Sequence, residues 1–596
     1  MMKRIVDSFA RWMNHPRLGI HLVVLATVLL LPSFWIGWQL DDHTHRFVLL
    51  GEGGEEMTPI EAFSILTGDS DFNRELIDAG HLPWWTDEEY RIAFFRFLTV
   101  LTMWLDYRLW PDSPALMHVH NMLWFAALAL AVVAIYRRFH GWSTIAGLAA
   151  LLYVLDDARA LPAAWIANRN SLLATLFGVL CIWAHVRWRR SGWKPGAFLG
   201  PLLLALALAS AEIGLAAAGY LLAHALFLDR GTPLRRLAAL IPNGVVLLIW
   251  VIVYRAFGFG VYGSGMYIDP VRSPIAFLDA LLYRGPFLLM GQWTPLAADG
   301  GSFLAPDAQR VAWTIAVFVA LVLAAALWPL LRRDPQARFW ATGMVLALVP
   351  VSAAFPSNRL LMFVSFGGAS LLAQFLVGIF SDAEWVPDRR AWKLPARCLA
   401  YVLVPCHLLI APLSMPLGPL TTWYLGETEK VAAASVPSDP AIASQDLVVV
   451  NSPDYLIYVA HIPTLAHLEG RPYAARMRAL APGPVPLAVT RIDERSLDIR
   501  MEDGLFYGPL GCLFRDVERP LRAGDRFDLD GMIVTVVEVL EDGSPVEARF
   551  EFSLPLEDPS LRWIRWDDDR YVPFAPPPVG ETVELPAALS FFDRIR

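Results

Sequence analysis

Apolar residues along this chain gather into long runs instead of alternating, and the polar positions fall mainly in the gaps between them. A helix that crosses the hydrocarbon core of a bilayer needs roughly 20 consecutive apolar residues. Candidate runs, some of them short, lie near 18–40, 116–136, 142–155, 171–186, 197–211, 213–228, 237–255, 311–331, 339–354, 360–380 and 397–414. The pattern therefore predicts a polytopic α-helical membrane protein with about eleven transmembrane helices. The first run is longer than the roughly 7–15 apolar residues of a cleavable signal and ends without a small-residue cleavage pattern, so it is expected to stay as the first span.

Past about residue 420 the pattern changes. A helical linker leads to Asp446–Asn451, a continuous apolar run expected to be a buried strand, and a mixed helical stretch is expected up to about Leu480. Alternating runs follow at Val485–Arg491, Ser496–Met501, Arg526–Asp530, Met532–Leu540 and Val546–Ser553, with Glu-Asp-Gly turns at 502–504 and 541–543. The expected domains are a transmembrane domain over 1–415, with a long first outer loop at 41–115 and a second at 257–310, and a β-rich soluble domain over 416–596. The loop at 257–310 opens Gly-rich and continues as one or two helices around Phe277–Arg284, apolar on one face.

Charge sets the sides. Lys and Arg cluster at 3–17, at Arg137 and Arg138, between Arg187 and Lys194, between Arg230 and Arg236, at Arg332 and Arg333, and between Arg389 and Arg397, which is every second loop. The positive-inside bias then puts the N-terminus in the cytoplasm and the C-terminal domain outside. The segment from Ala197 to Leu228 has basic flanks on both sides, which predicts two short spans turning at Glu212. A half of roughly 15 residues rises only about 22 Å, less than the roughly 30 Å core, so this turn is expected in a recess below the outer surface.

Composition agrees with a membrane protein: of 596 residues, 56% are hydrophobic and only 18% charged. The net charge of -8 and the dispersal of basic residues among short loops argue against nucleic-acid binding. Cys181, Cys398 and Cys406 sit in apolar runs and Cys512 stands alone, so no disulfide framework or metal spacing emerges.

The candidate chemistry begins at Trp38-Gln-Leu-Asp-Asp-His-Thr-His-Arg46, where Asp41 and Asp42 stand at the mouth of the first span. Carboxylates there are costly unless they face a polar cavity. Adjacent residues point different ways, so one of the two is expected to face a substrate. Asp156 and Asp157 end the third run beside Arg159, and Glu212 interrupts an apolar run. Asp156 and Asp157 can orient an acceptor or a metal ion, or pair with Arg159; Glu212 can act in a site or bridge helices. Arg96, Arg169 and Arg359 fall at outer ends of spans, where they can hold a phosphate or snorkel to lipid headgroups. His43 and His45 offer a divalent-metal alternative beside the two aspartates. His118 and His120 head a span, and Asp567-Asp568-Asp569 reads as a solvated turn in preference to a calcium loop.

The layout of an Asp-Asp pair after the first span, an amphipathic segment in the first outer loop and an outer C-terminal domain resembles the C-type (GT-C) glycosyltransferases. More narrowly, Phe95-Arg-Phe-Leu-Thr-Val-Leu-Thr-Met-Trp-Leu-Asp-Tyr-Arg-Leu-Trp110, then His118-Val-His-Asn121 and Ala164-Trp-Ile-Ala-Asn-Arg-Asn-Ser-Leu-Leu-Ala174, are similar to motifs of O-mannosyltransferase-like polytopic membrane proteins, with a weaker echo at Pro356-Ser-Asn-Arg359. Phe97 stands where that family carries Pro, and its tetratricopeptide tail is absent. The resemblance implies a GT-C fold and transfer of a sugar, with inversion, from a polyprenyl-phosphate donor to an acceptor hydroxyl of a protein, lipid or glycan on the outer face of a bacterial-type inner membrane. It implies Asp42 or Asp41 as the base and Arg96, Arg169 and Arg359 at the donor phosphate. It implies no cofactor, since monophosphate donors in the family generally act without metal. A transporter or flippase of lipid-linked sugars is the alternative, and it predicts related halves, which residues 1–230 and 237–414 do not show.

Overall fold

The computed structural model describes residues 2–53, 57–304, 306–506, 508–516 and 518–589. It divides into two units. The first comprises Met1–Gly37, Phe94–Gly258 and Pro270–Trp423, and the second Trp38–Ala93, Phe259–Asp269 and Tyr424–Arg596.

The first unit is helical, and each of the apolar runs named above carries a helix. Among the described residues, five helices are long and apolar enough to cross a membrane: Pro114–His140, Ile166–Ser191, Asp307–Arg333, Met362–Phe380 and Arg390–Ser435. Those at Leu18–Leu29, Thr144–Val154, Gly196–Leu208, Glu212–Phe227 and Ile241–Ala256 are shorter. Helix length by itself thus supports five of the about eleven expected spans. Local chemistry sets where the helices stop. The helix of the first run, Leu18–Leu29, gives way to a 3-10 turn carrying Pro32, because proline has no N–H to continue the α-helical ladder. The helix Thr144–Val154 stops where the Asp156 carboxylate accepts the Ala158 N–H at 3.0 Å and starts a new turn. The last run, expected to end at 414, continues helically through a π turn at Cys406–Ile410 to Ser435.

Helix Met362–Phe380 lies at the centre, with nearly every residue buried. Tyr136, Tyr153 and Tyr220 pack their rings against Phe366, and Trp340 joins them. Each phenol must find a partner in this dry setting. They donate to the carbonyls of Phe366 at 2.7 Å, Met362 at 3.2 Å and Phe363 at 2.6 Å respectively. On the opposite margin, helices Ile241–Ala256 and Pro306–Arg333 expose Ile241, Leu248, Ile249, Phe318 and Leu321, as expected of faces turned to lipid.

The second unit is sheet-rich and discontinuous in sequence. A six-stranded antiparallel sheet runs in the order Thr582–Leu585, Leu487–Arg491, Ser496–Arg500, Pro545–Phe552, Met532–Val539 and Arg526–Leu529. A four-stranded sheet follows the order Arg570–Pro573, Leu561–Asp567, Asp446–Ser452 and Arg476–Pro482, its last three strands mutually parallel. The stretch expected to be helical up to Leu480 therefore ends in a strand. Arg476–Pro482 is buried at almost every position, without alternation, which is how a parallel strand covered on both faces reads. Asp568 and Asp569 take φ of 47° and 64° in the tight turn joining Leu561–Asp567 to Arg570–Pro573. A third small sheet joins Leu66–Thr67, Arg91–Ala93 and Gly260–Tyr262, so parts of both outer loops belong to this unit.

Close helix contact in the first unit depends on glycine. A Cβ at Gly343 would lie 2.2 Å from the Tyr220 ring, whereas one at Gly200 would find its nearest neighbour at 3.9 Å. Gly343→Ala is expected to destabilise the protein by about 1–3 kcal/mol in detergent-solubilised thermal unfolding, while Gly200→Ala stays near wild type; equal melting temperatures would refute this account of the packing.

Candidate functional site

In the second unit, Asp41 and Asp42 open the helix Asp41–Leu50, where the macrodipole favours negative charge. Asp42 is fully buried and accepts the Gln39 N–H at 3.2 Å, while Asp41 is half-buried. The two carboxylates therefore differ in access to solvent. The His43 and His45 side chains diverge. His43 Nε2 lies 3.5 Å from Glu429 Oε2, whereas the His45 ring packs on Phe63 at a centroid distance of 4.1 Å. Among the described residues, no group of three or more His, Cys, Asp or Glu is arranged to hold a metal ion. Glu429 also meets His461, whose Nδ1 lies 3.3 Å away. Burial opposes protonation of His461, but hydrogen bonding to Glu429 and the charges of Glu429, Asp41 and Asp454 raise its pKa above the usual imidazole range.

In the first unit, ionisable residues fall into three sets. The first surrounds Arg169, whose side chain has no solvent exposure. Its Nη2 meets Asp106 Oδ2 at 2.5 Å, its Nε donates to Asn121 Oδ1 at 2.5 Å, and Nη1 donates to the Thr102 carbonyl at 3.2 Å. Asp106 also contacts His120 Nδ1 at 2.6 Å, and Asn121 Nδ2 donates to the Trp165 carbonyl at 3.2 Å. His118 turns elsewhere, to the Gly37 carbonyl at 3.0 Å. This set ties the helix Phe97–Leu109 to the helices Pro114–His140 and Arg169–Ser191.

The second set pairs two candidates with one another. Arg96 Nε lies 3.5 Å from Glu212 Oε2, and Glu212 Oε1 accepts the Phe95 N–H at 3.1 Å. Glu212 starts the 3-10 turn that separates helix Gly196–Leu208 from helix Ala216–Phe227. The pair therefore stitches that helix break to the start of the helix Phe97–Leu109, helped by Leu98 N–H donating to the Ala209 carbonyl at 2.8 Å.

The third set gathers residues from four separate turns. Asp156 and Asp157 come from the turn after Thr144–Val154, Asp299 from the loop after the helix Pro274–Trp293, Arg359 from Asn358–Leu360 and His407 from the π turn. Arg159 is fully buried and donates to Ser365 Oγ at 2.7 Å, which in turn donates to Gln292 Oε1 at 2.5 Å. Burial raises Asp157 to about 6, and the adjacent Asp156 charge adds to the shift while Arg159 and His407 oppose it. Asp156 is raised by burial against the pull of Arg159. Asp299 is raised by burial, with Arg359 opposing and Asp157 reinforcing. Arg359 is half-buried, its guanidinium carbon 5.6 Å from the Trp165 ring centroid and 5.8 Å from that of Phe355. Among the described residues, its N–H groups have no hydrogen-bond or ion-pair partner. Carboxylates with raised pKa values beside a stacked, open guanidinium can move protons near neutral pH and grip an anion.

Of the sequence candidates, the structure brings Asp156, Asp157 and Arg359 together, couples Arg96 to Glu212, and commits Arg169 to Asp106. Asp299, His407, Glu429, His461 and Asp106 join these sets without a role assigned from sequence. Asp106 had a signal in the Leu-Asp-Tyr motif, and His407 stood out as a polar residue in an apolar run. Glu429 and His461 had none.

Removing one partner of a buried ion pair strands the other's charge. Asp106→Ala is expected to cost about 3–5 kcal/mol of stability, and Asp106→Leu/Arg169→Met to sit much closer to wild type. Detergent-solubilised unfolding checks this; a double variant no more stable than Asp106→Ala would contradict it.

No family model matches the chain, and no curated protein matches it. Among solved structures, it is similar to the oligosaccharyltransferase of Archaeoglobus fulgidus in the apo form, at 11% identity and TM-score 0.43, over 78% of this chain and 64% of that one. It is also similar to that protein tethered to an acceptor peptide containing the NVT sequon, at 11% identity and TM-score 0.41 over the same shares. A third similar structure is the archaeal oligosaccharyltransferase AglB from Archaeoglobus fulgidus in complex with an inhibitory peptide and a dolichol-phosphate, at 12% identity and TM-score 0.38, over 77% of this chain and 64% of that one. The chain thus covers just under two thirds of the length of these structures.

Proposed function

We propose that this chain is a membrane glycosyltransferase of C type that moves one sugar from a polyprenyl-phosphate-linked donor to an acceptor hydroxyl. The reaction takes place at the outer face of a bacterial-type inner membrane, with the N-terminus cytoplasmic and the C-terminal region extracytoplasmic. The observation that carries the proposal is Arg359: a guanidinium laid against Trp165 and Phe355, without a hydrogen-bond partner of its own among the described residues, whose charge acts on Asp299, as does that of Asp157. Arg96 and Arg169 already have carboxylate partners and serve the framework first.

The acceptor hydroxyl oxygen attacks the anomeric carbon from the face opposite the phosphate, the bond from that carbon to the phosphate oxygen breaks, and configuration inverts. Asp41, the more accessible of the pair, takes the hydroxyl proton, while the buried Asp42 braces the turn through the Gln39 N–H. Negative charge grows on the leaving phosphate, and Arg359 meets it with two parallel N–H groups. Asp157 orients the acceptor through its ionised form.

The test is transfer of labelled sugar from polyprenyl-phosphate donors in proteoliposomes. Asp41→Asn is expected to lower kcat by about 10²–10⁴-fold, and Arg359→Gln to lower kcat/KM for the donor. Asp157 is half protonated at about pH 6 and acts as the anion, so the rate should rise with pH through that value, and Asp157→Asn should flatten the rise. Full turnover by Asp41→Asn removes the base assignment. Movement of the lipid donor across the bilayer without sugar transfer overturns the transferase reading in favour of a flippase.

A further inference from the structure

Gln39, Leu40, Asp41 and Asp42 form a β-turn closed by the Asp42 N–H donating to the Gln39 carbonyl at 2.9 Å. Leu40, its first central residue, has φ 49° and ψ -123°. These values belong to a type II′ turn, whose first central position normally takes glycine because a Cβ crowds the backbone there. A leucine keeps such a conformation only where its surroundings impose it.

One imposing group is Glu429. Its Oε2 accepts the Leu40 N–H at 3.1 Å, and its side chain has no solvent exposure. His43 approaches Oε2 at 3.5 Å and His461 approaches Oε1 at 3.3 Å, so both oxygens are held between imidazoles. The contacts come from distant parts of the chain: Glu429 lies in the helix Leu417–Ser435, and His461 precedes the helix Ile462–Leu468. The residue immediately after the strained Leu40 is Asp41.

We propose that Glu429 is a positioning residue: by clamping the Leu40 N–H it holds the type II′ turn and thereby fixes where Asp41 presents its carboxylate. The inference rests on Asp41 being the base of the proposed reaction. Glu429 touches no substrate; it acts through the backbone, and a small displacement of a reacting group is enough to slow chemistry severely.

The experiment pairs turnover with hydrogen–deuterium exchange of the full-length protein. Glu429→Leu removes the acceptor and is expected to lower kcat by at least about tenfold, to leave the donor KM within about twofold, and to speed exchange over residues 38–42. Adding Leu40→Gly to Glu429→Leu is expected to restore at least half of the lost rate on a logarithmic scale, since glycine takes this φ without a clamp. Glu429→Gln keeps an acceptor oxygen without the charge, and covers the case in which Glu429→Leu does not fold; its smaller loss should be relieved by Leu40→Gly in the same way. Unchanged exchange over 38–42 in both Glu429 variants overturns the clamp, as does a double variant that melts like wild type yet recovers no rate. The two ideas fail separately: wild-type turnover by Asp41→Asn removes the base, whereas the exchange measurement judges the clamp whatever Asp41 does.

Discussion

A guanidinium withdrawn from water must be met by groups that replace its hydration, and the helical unit is built around that demand. Arg169 has no exposure and meets Asp106, Asn121 and the Thr102 carbonyl; Asp106 in turn holds His120. These partners come from two helices and Arg169 from a third, so satisfying one charge orients three elements at once. A buried pair of this kind adds little net stability but is costly to break. Its consequence here is geometric: the ends of these helices can meet in few other arrangements.

The same demand distinguishes paired charges from open ones. Glu212 is met by Arg96, and Arg159 through its Nη2 by Ser365 and Asp156, while its buried Nε and Nη1 find no hydrogen-bond partner among the described residues. Once these are paired, Arg359 remains with its N–H groups unengaged among the described residues, stacked on aromatic rings, near carboxylates that burial makes reluctant to ionise. Trp165 connects the two situations, since its ring lies under Arg359 and its carbonyl receives Asn121, which holds Arg169.

The sheet-rich unit uses a comparable device on the backbone. Glu429, between two imidazoles, secures an amide in a turn that leucine would not choose. Asp42, the buried last residue of the same turn, accepts the Gln39 N–H. Strain concentrated beside a candidate catalytic carboxylate is affordable because the surroundings over-determine it.

How much of this was legible depends on the range of the interaction responsible. Local patterning by itself determined the helices: each apolar run is helical, because the backbone hydrogen bonds of a helix close within the segment and its side chains need only an apolar setting. It also determined the alternating strands of the six-stranded sheet, whose two faces differ in solvent exposure. The acidic turns at Asp41, Asp157 and Glu212 were visible as charges at the margins of apolar runs. What only the tertiary structure decided was partnership. Arg476–Pro482, buried on both faces, carries no alternation to read and is a strand only through its parallel neighbour Asp446–Ser452. Arg169 reads like Arg359 along the chain, and nothing local says that one meets Asp106 while the other keeps its donors open. Leu40 and Glu429 are 389 residues apart. A contact closed over that distance leaves no periodicity, spacing or composition in either segment, so the turn ahead of Asp41 takes its form only once the chain has folded.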